Sequence, residues 1–237
     1  SVKKFDIRKC RVKHLWLCPK GQKPKVFFCA VRQFIGGKER DILFVKSKKR
    51  KERKTVRKIG LQEIEDIALG AALLGAGGGG DPYIGKWVAI GAVKECGPVD
   101  LLDPEEVPDD ALVIPIAMMG APTVLGEKGI GGREYKTLYE MVSRFYGKEI
   151  YAFMPIEAGG VNSMLPIAAS ARLGLPMVDA DGMGRAFPEL QMVTFTIGGI
   201  SASPMALTDE KGNSVIFQTV TNHWTEELAR AVTMSCG

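Results

Sequence analysis

Ile150-Tyr151-Ala152-Phe153-Met154, Glu157-Ala158-Gly159-Gly160-Val161-Asn162-Ser163 and Pro176-Met177-Val178 together decide the fold. The first is a short continuous apolar run, the pattern of a strand buried on both faces. The second is a glycine-bearing loop in which Asn162 or Ser163 is placed to cap a helix. That helix runs to about Gly174, a residue suited to a left-handed helix end. The third is a second buried strand, which runs into Asp179-Ala180-Asp181-Gly182. Strand, helix and strand in this order are the unit of an α/β protein.

Working outward, Ala111–Met118 is another apolar run and reads as a buried strand. Gly131 and Gly132 precede a helix expected over Arg133–Tyr146. Leu61, Ile64, Ile67, Ala68, Ala71 and Leu74 recur at helical spacing and predict a helix over Leu61–Leu74. The run Gly75-Ala76-Gly77-Gly78-Gly79-Gly80 ends it. Asp81 then reads as an N-cap and Pro82 as the first residue of a helix to about Glu95. Downstream, Val193–Ile197 reads as a strand. Met205–Leu207 and Ser214–Gln218 flank Asp209-Glu210-Lys211-Gly212-Asn213 and predict a hairpin. Asn222 is placed to cap a last helix, Trp224–Met234. The expected fold is an α/β three-layer sandwich with a mostly parallel or mixed sheet.

The composition agrees. Of 237 residues, 46% are hydrophobic and 25% charged, which excludes a mainly disordered chain. The longest uncharged stretch, Ala111–Gly126, is too short for a membrane span and carries Pro115 and Pro122, so no membrane association is expected. The N-terminus opens on Lys3, Lys4, Arg8 and Lys9 without the apolar segment of a signal peptide. Five cysteines at irregular spacing suggest reduced thiols and a cytoplasmic protein.

The net charge of +5 is divided along the chain. Ser1–Lys58 carries 21 Lys and Arg against 4 Asp and Glu; the remainder carries 11 against 23. Such asymmetry marks two segments, and the boundary is placed near Thr55. Residues 1–55 form a basic leader, and residues 56–237 the folded body. In the leader, Lys25–Phe34 and Asp41–Val45 are β-like runs around Ile35-Gly36-Gly37-Lys38, and Lys46–Lys58 is a charge run. Clustered cations neutralise phosphates, but no nucleic-acid motif accompanies them, so a solvated tail is the preferred reading and a nucleic-acid partner is not expected. Cys10, His14, Cys18 and Cys29 do not follow a zinc-finger spacing. Lys46–Lys58 has too little apolar surface to offset its ordering entropy and is expected to make few contacts with the body.

Within the body, Gly75, Gly77 and Gly80 satisfy G-x-G-x-x-G, but a dinucleotide site needs a strand before the glycines and here a helix precedes them. No Gly-Lys-Ser/Thr follows, so no nucleotide cofactor is expected. Two readings stay open. The loop Gly77-Gly78-Gly79-Gly80-Asp81 feeds a helix N-terminus, where free N–H groups favour a polar substrate group. Alternatively it is a helix–helix corner in which glycine permits close packing.

Asp179-x-Asp181-Gly182-x-Gly184-Arg185 follows a buried strand, at the sheet edge where open α/β folds place ligands. The two carboxylates suit a hard metal ion or a division of acid and base roles, Arg185 suits a substrate carboxylate, and Glu189 suits a helix start. The bland alternative is turn chemistry. Glu157, Gly159, Gly160 and Asn162 follow one strand; Gly120, in Met119-Gly120-Ala121-Pro122-Thr123, follows another, with Glu127 beyond. Their convergence at strand ends argues for one pocket, though each loop alone is ordinary. Asp179, Asp181 and Glu157 are therefore the catalytic candidates. Gly77–Asp81, Gly120, Gly159, Gly160, Asn162, Arg185 and Glu189 are the substrate-binding candidates. His223, the body's one histidine, lacks a nucleophile elbow to serve. Cys96 and Cys236 have no C-x-x-C partner; Cys236 reads as a small buried thiol rather than a nucleophile, and Met118, Met119, Met154, Met164, Met183 and Met192 read as core filler.

Ile59-Gly60-Leu61, Gly77-Gly78-Gly79-Gly80-Asp81-Pro82-Tyr83, Met119-Gly120-Ala121-Pro122, Glu157-Ala158-Gly159-Gly160-Val161-Asn162 and Pro176-Met177-Val178-Asp179-Ala180-Asp181-Gly182-Met183-Gly184-Arg185-Ala186-Phe187-Pro188-Glu189 resemble the S-methyl-thiohydantoin desulfurase-like family over about Val56–Gly237. The resemblance implies a three-layer α/β N-terminal domain, followed in full-length members by a smaller β-rich domain beyond the end of this sequence. It implies a small-molecule substrate of the hydantoin or thiohydantoin type, hydrolytic C–S or C–N chemistry, and a hydantoinase-type partner. A homo-oligomer is expected. The resemblance supplies no catalytic set, and whether a divalent metal serves is left open. Family members begin with a short Met-led stretch where Val56-Arg57-Lys58-Ile59 stands here. Residues 1–55 are accordingly read as upstream sequence from a misassigned start, or else as an added module.

Overall fold

The computed structural model describes residues 56–237. The expectations for the leader, including its hairpin and its Cys and His residues, lie outside the described residues.

In chain order the elements are β1 (Arg57–Ile59), α1 (Leu61–Gly75), α2 (Pro82–Cys96), β2 (Val99–Leu102), β3 (Val113–Ile116), α3 (Pro122–Lys128), α4 (Arg133–Tyr146), β4 (Ala152–Pro155), α5 (Leu165–Leu173), β5 (Met177–Val178), α6 (Thr194–Ile197), β6 (Met205–Thr208), β7 (Ser214–Phe217) and α7 (Asn222–Cys236). The main sheet has the order β1-β2-β5-β4-β3. β1 is antiparallel to β2, whereas the β2–β5, β5–β4 and β4–β3 pairs are parallel. The expected α/β sandwich with a mostly parallel sheet is present, and the hairpin β6–β7 stands as a separate two-stranded sheet.

β4 is buried at every position, as a strand covered on both faces must be. Phe153 packs with Tyr135 and Val142 of α4 and Leu165 of α5, while its neighbours Ala152 and Met154 pack with Val178, Val193 and Phe195 on the other face. A third cluster joins Ile59 and Met177 of the sheet to Ile64 of α1, Ile90 of α2 and Ile167 of α5. One face is thus covered by helices and the other by the segment that follows β5. Met154, Met164 and Met177 are core filler, 0–2% exposed, whereas Met192 is 42% exposed and Cys236 only half-buried, against the expectation for both.

Four local expectations need correction. Val193–Ile197 forms the single-turn α6 rather than a strand, because its hydrogen bonds go elsewhere. Thr194 donates to Gly182 O through both N and Oγ1, and Ile200 N closes back on Phe195 O. Tertiary context here overrides β propensity. Asn222 does not cap α7; Thr221 does, its Oγ1 accepting Trp224 N–H at 3.3 Å. Asn222 instead holds Ala202 N (2.7 Å) and Ile200 O (3.1 Å). Neither Asn162 nor Ser163 caps α5: both lie in a 3-10 turn, Val161–Ser163, and Met164 occupies the cap position. Finally, the end of the charge run does contact the body. Arg57 and Lys58 stand in β1, where Arg57 Nη2 meets Asp103 (2.6 Å) and Asp179 (2.7 Å), and Lys58 Nζ meets Asp100 (2.6 Å). These cations answer acids of the body. Asp81 caps α2 as expected, accepting Tyr83 N–H at 2.9 Å with Pro82 at the first turn.

Candidate functional site

Glu157 lies two residues past the end of β4, at the carboxyl edge of the parallel strands. It is 3% exposed. Its Oε1 accepts from Asn162 Nδ2 at 2.6 Å and its Oε2 from Phe187 N–H at 3.2 Å. Burial pushes its carboxyl above the ordinary 4.5, and the nearby charge of Asp181 adds to the rise; the Asn162 and Phe187 hydrogen bonds oppose it. Asn162, itself buried, uses its Oδ1 to accept Met118 N–H at 2.8 Å. One amide side chain therefore ties the loop after β3 to the acid after β4. Gly120 stands two residues beyond that anchor, with open space where a side chain would sit.

The glycine loop after α1 lies against this acid. Gly160 N–H donates to Gly78 O at 3.2 Å and Asn162 N–H to Gly79 O at 3.1 Å. A Cβ at Gly79 would stand 2.6 Å from Glu157 Oε1, and one at Gly160 only 1.6 Å from Gly80 O. Side chains are excluded because two backbones touch, the close approach that glycine alone permits. The amides of Gly79 and Gly159 have no acceptor among the described residues. Gly78 abuts Ala186, where an added Cβ would come within 2.7 Å of the alanine methyl.

Asp181 Oδ2 accepts from Ala158 N (3.1 Å), Met183 N (3.1 Å) and Gly184 N. It knits its own turn to the loop that carries Glu157. Asp179 points its carboxylate to Arg57, at the β1–β2 side of the sheet. Arg185 is exposed and stacks over Phe187, its guanidinium carbon 5.8 Å from the ring centroid. Glu189 receives Gln191 Nε2. The structure thus gathers Gly78–Gly80, Glu157, Gly159, Gly160, Asn162, Asp181 and the Ala186–Phe187 backbone. Three candidates stand apart from it: Asp179 pairs with Arg57, Glu189 receives Gln191, and Gly77 has open space at its Cβ position.

Two things escaped sequence reasoning. One is the bridging role of Asn162, whose position at a helix start reads as a cap. The other is Glu226, an α7 carboxylate only 2% exposed that accepts Leu190 N–H at 3.0 Å and pairs with Arg230. His223 is a surface residue, 3.9 Å from Glu227 one turn on. No group of three or more His, Cys, Asp or Glu side chains is gathered for a metal among the described residues. No helix among them is long and apolar enough to cross a membrane.

No curated protein matches the chain. A solved structure of a protein from Chromobacterium violaceum is similar in fold, with a TM-score of 0.62 at 23% identity, over 75% of this chain and 51% of that one. The chain spans about half the length of that solved protein. The S-Me-THD-like N-terminal domain family matches over residues 62–219, a span holding the glycine loop, Glu157, Asn162 and Asp181 together. On that match the chain belongs to the S-Me-THD-like family, of which it carries the N-terminal domain.

Proposed function

We propose that this domain is the hydrolase-like part of an enzyme acting on a cyclic substrate of the hydantoin or thiohydantoin type. The observation that carries the reading is Glu157. It is a buried carboxyl held above its ordinary range, set among strand-end loops with glycine amides beside it. Such a group holds a proton nearer neutrality than a surface acid, which suits general acid–base work. In this reading the Gly79 and Gly159 amides take a ring carbonyl, and Arg185 takes an anionic substituent. Glu157 removes a proton from the attacking water and returns one to the departing sulfur or nitrogen. Asp181 keeps the loops in register.

The test is turnover of a panel of hydantoins and S-methyl-thiohydantoins, followed by mass spectrometry of the products. Glu157→Gln is expected to lower kcat by about 100- to 10,000-fold. Full activity in that variant overturns the assignment.

A second reading, a non-catalytic ligand-binding or subunit-interaction domain serving a hydantoinase, draws support from the other two acids. Asp181 and Asp179 are engaged by backbone amides and by Arg57, as structural carboxylates would be. Calorimetric binding of a thiohydantoin with no turnover, by a chain extended to the length of the solved relative, would favour it.

A further inference from the structure

We infer that Glu226 and Arg230 on α7 are positioning residues for the candidate site, holding the Phe187–Leu190 segment so that the Phe187 amide meets Glu157. The inference deepens the proposed reading and rests on it for its bearing on catalysis.

The grip is specific. Glu226 Oε2 accepts Leu190 N–H at 3.0 Å, and Glu226 Oε1 receives Arg230 Nε at 2.8 Å. Arg230 Nη2 donates onward to Pro188 O at 3.3 Å. Two side chains one helical turn apart therefore hold the segment at two points, 188 and 190. Pro188 makes the lever stiff, because its ring fixes its own φ and restricts Phe187 before it. Phe187 in turn donates its N–H to Glu157 Oε2. On the other side the segment meets the glycine loop at Ala186 and Gly78. A carboxylate 2% exposed on a terminal helix has a desolvation cost, and the hydrogen bonds that offset it are those that fasten this loop.

The charged group facing Glu157 is Asp181. Asp81, on the glycine-loop side, holds its own helix start, and Arg185 stacks over Phe187. On α7, Glu226 faces Arg230, and His223 faces Glu227. The Phe187 hydrogen bond lowers the Glu157 pKa, so loosening the segment must raise it.

The test is the carboxyl titration of Glu157 in the full chain, read by NMR with 13C-labelled glutamate and assigned with Glu157→Gln. Glu226→Ala and Arg230→Met are expected to move the Glu157 midpoint upward by about 0.5–1 pH unit. Glu226→Gln, which keeps an acceptor for Leu190, should move it less. An unchanged midpoint in folded variants overturns the inference, even if their melting temperatures fall, since a purely structural latch lowers stability without touching the titration. Should Glu226→Ala fail to fold, Arg230→Met, at a half-exposed side chain, decides the matter by the same readout. No substrate enters this measurement, so its failure is distinguishable from an absence of turnover.

Discussion

Glu157 and Asp181 are both acids on strand-end loops, yet their surroundings assign them different work. Asp181 accepts three backbone amides with one oxygen. Asp181→Asn keeps the shape and removes the charge that strengthens those bonds. It is expected to lose about 1–3 kcal/mol of stability, read as a lower midpoint in urea. His223→Ala should change stability by less than about 0.5 kcal/mol and leave turnover of any substrate intact, because the imidazole is exposed and 3.9 Å from its nearest acid. A loss of activity in that variant would move the chemistry to α7. At Gly160 a Cβ would stand 1.6 Å from a carbonyl oxygen. Gly160→Ala should therefore cost at least the upper part of the roughly 1–3 kcal/mol typical of overpacking, seen as a falling melting temperature.

At the scale of elements, glycine has the opposite meaning inside a helix. Gly91 sits on the exposed side of α2 with nothing within 4 Å of its Cβ position. Gly91→Ala should stabilise the domain by roughly 0.5–1 kcal/mol, because alanine loses less backbone freedom on entering a helix. A melting temperature that falls instead would mean an unseen contact on that face. The elements legible in the sequence were those with a local signal: α1 by apolar spacing, α2 by its Asp81-Pro82 start, α4 by the Gly131-Gly132 before it, β3, β4 and β5 by their apolar runs, and the β6–β7 hairpin by its turn residues. β1 and β2 were illegible because they are short and carry Arg57, Lys58 and Asp100, charges that look solvated until the opposite strand supplies their partners. The site was half legible. Glu157 and the glycine loops could be found because each stands at the end of a predicted strand or helix. Asn162 was misread, since its partners Met118 and Glu157 are set by the sheet order and not by neighbouring residues. Glu226 looks like any surface acid of an amphipathic helix until the loop it holds is in place.

Over the whole molecule, two carboxylates pull the pH dependence of stability in opposite senses. The Glu157 pKa is raised in the folded state, so its contribution is greatest below about 4.5, its ordinary value, and is lost as pH rises through the higher folded value. Glu157→Gln should flatten that decline in a thermal-melt series from pH 4.5 upward; an unchanged slope would mean that Glu157 is not the buried acid responsible. Asp209 behaves conversely. The Asn213 side chain, with the amides of Asn213 and Lys211, holds it down to about 2, so its contribution is present above 3.8 and is lost as pH falls towards 2. The contact between Gly80 and Gly160 has one more consequence. The two glycines are far apart in the chain, one after α1 and the other after β4. Bringing them together closes a long loop, a late event in any folding order that favours local contacts. Deuterium uptake at the Gly160 and Asn162 amides, which donate to Gly78 and Gly79, would time the moment at which these loops close on each other.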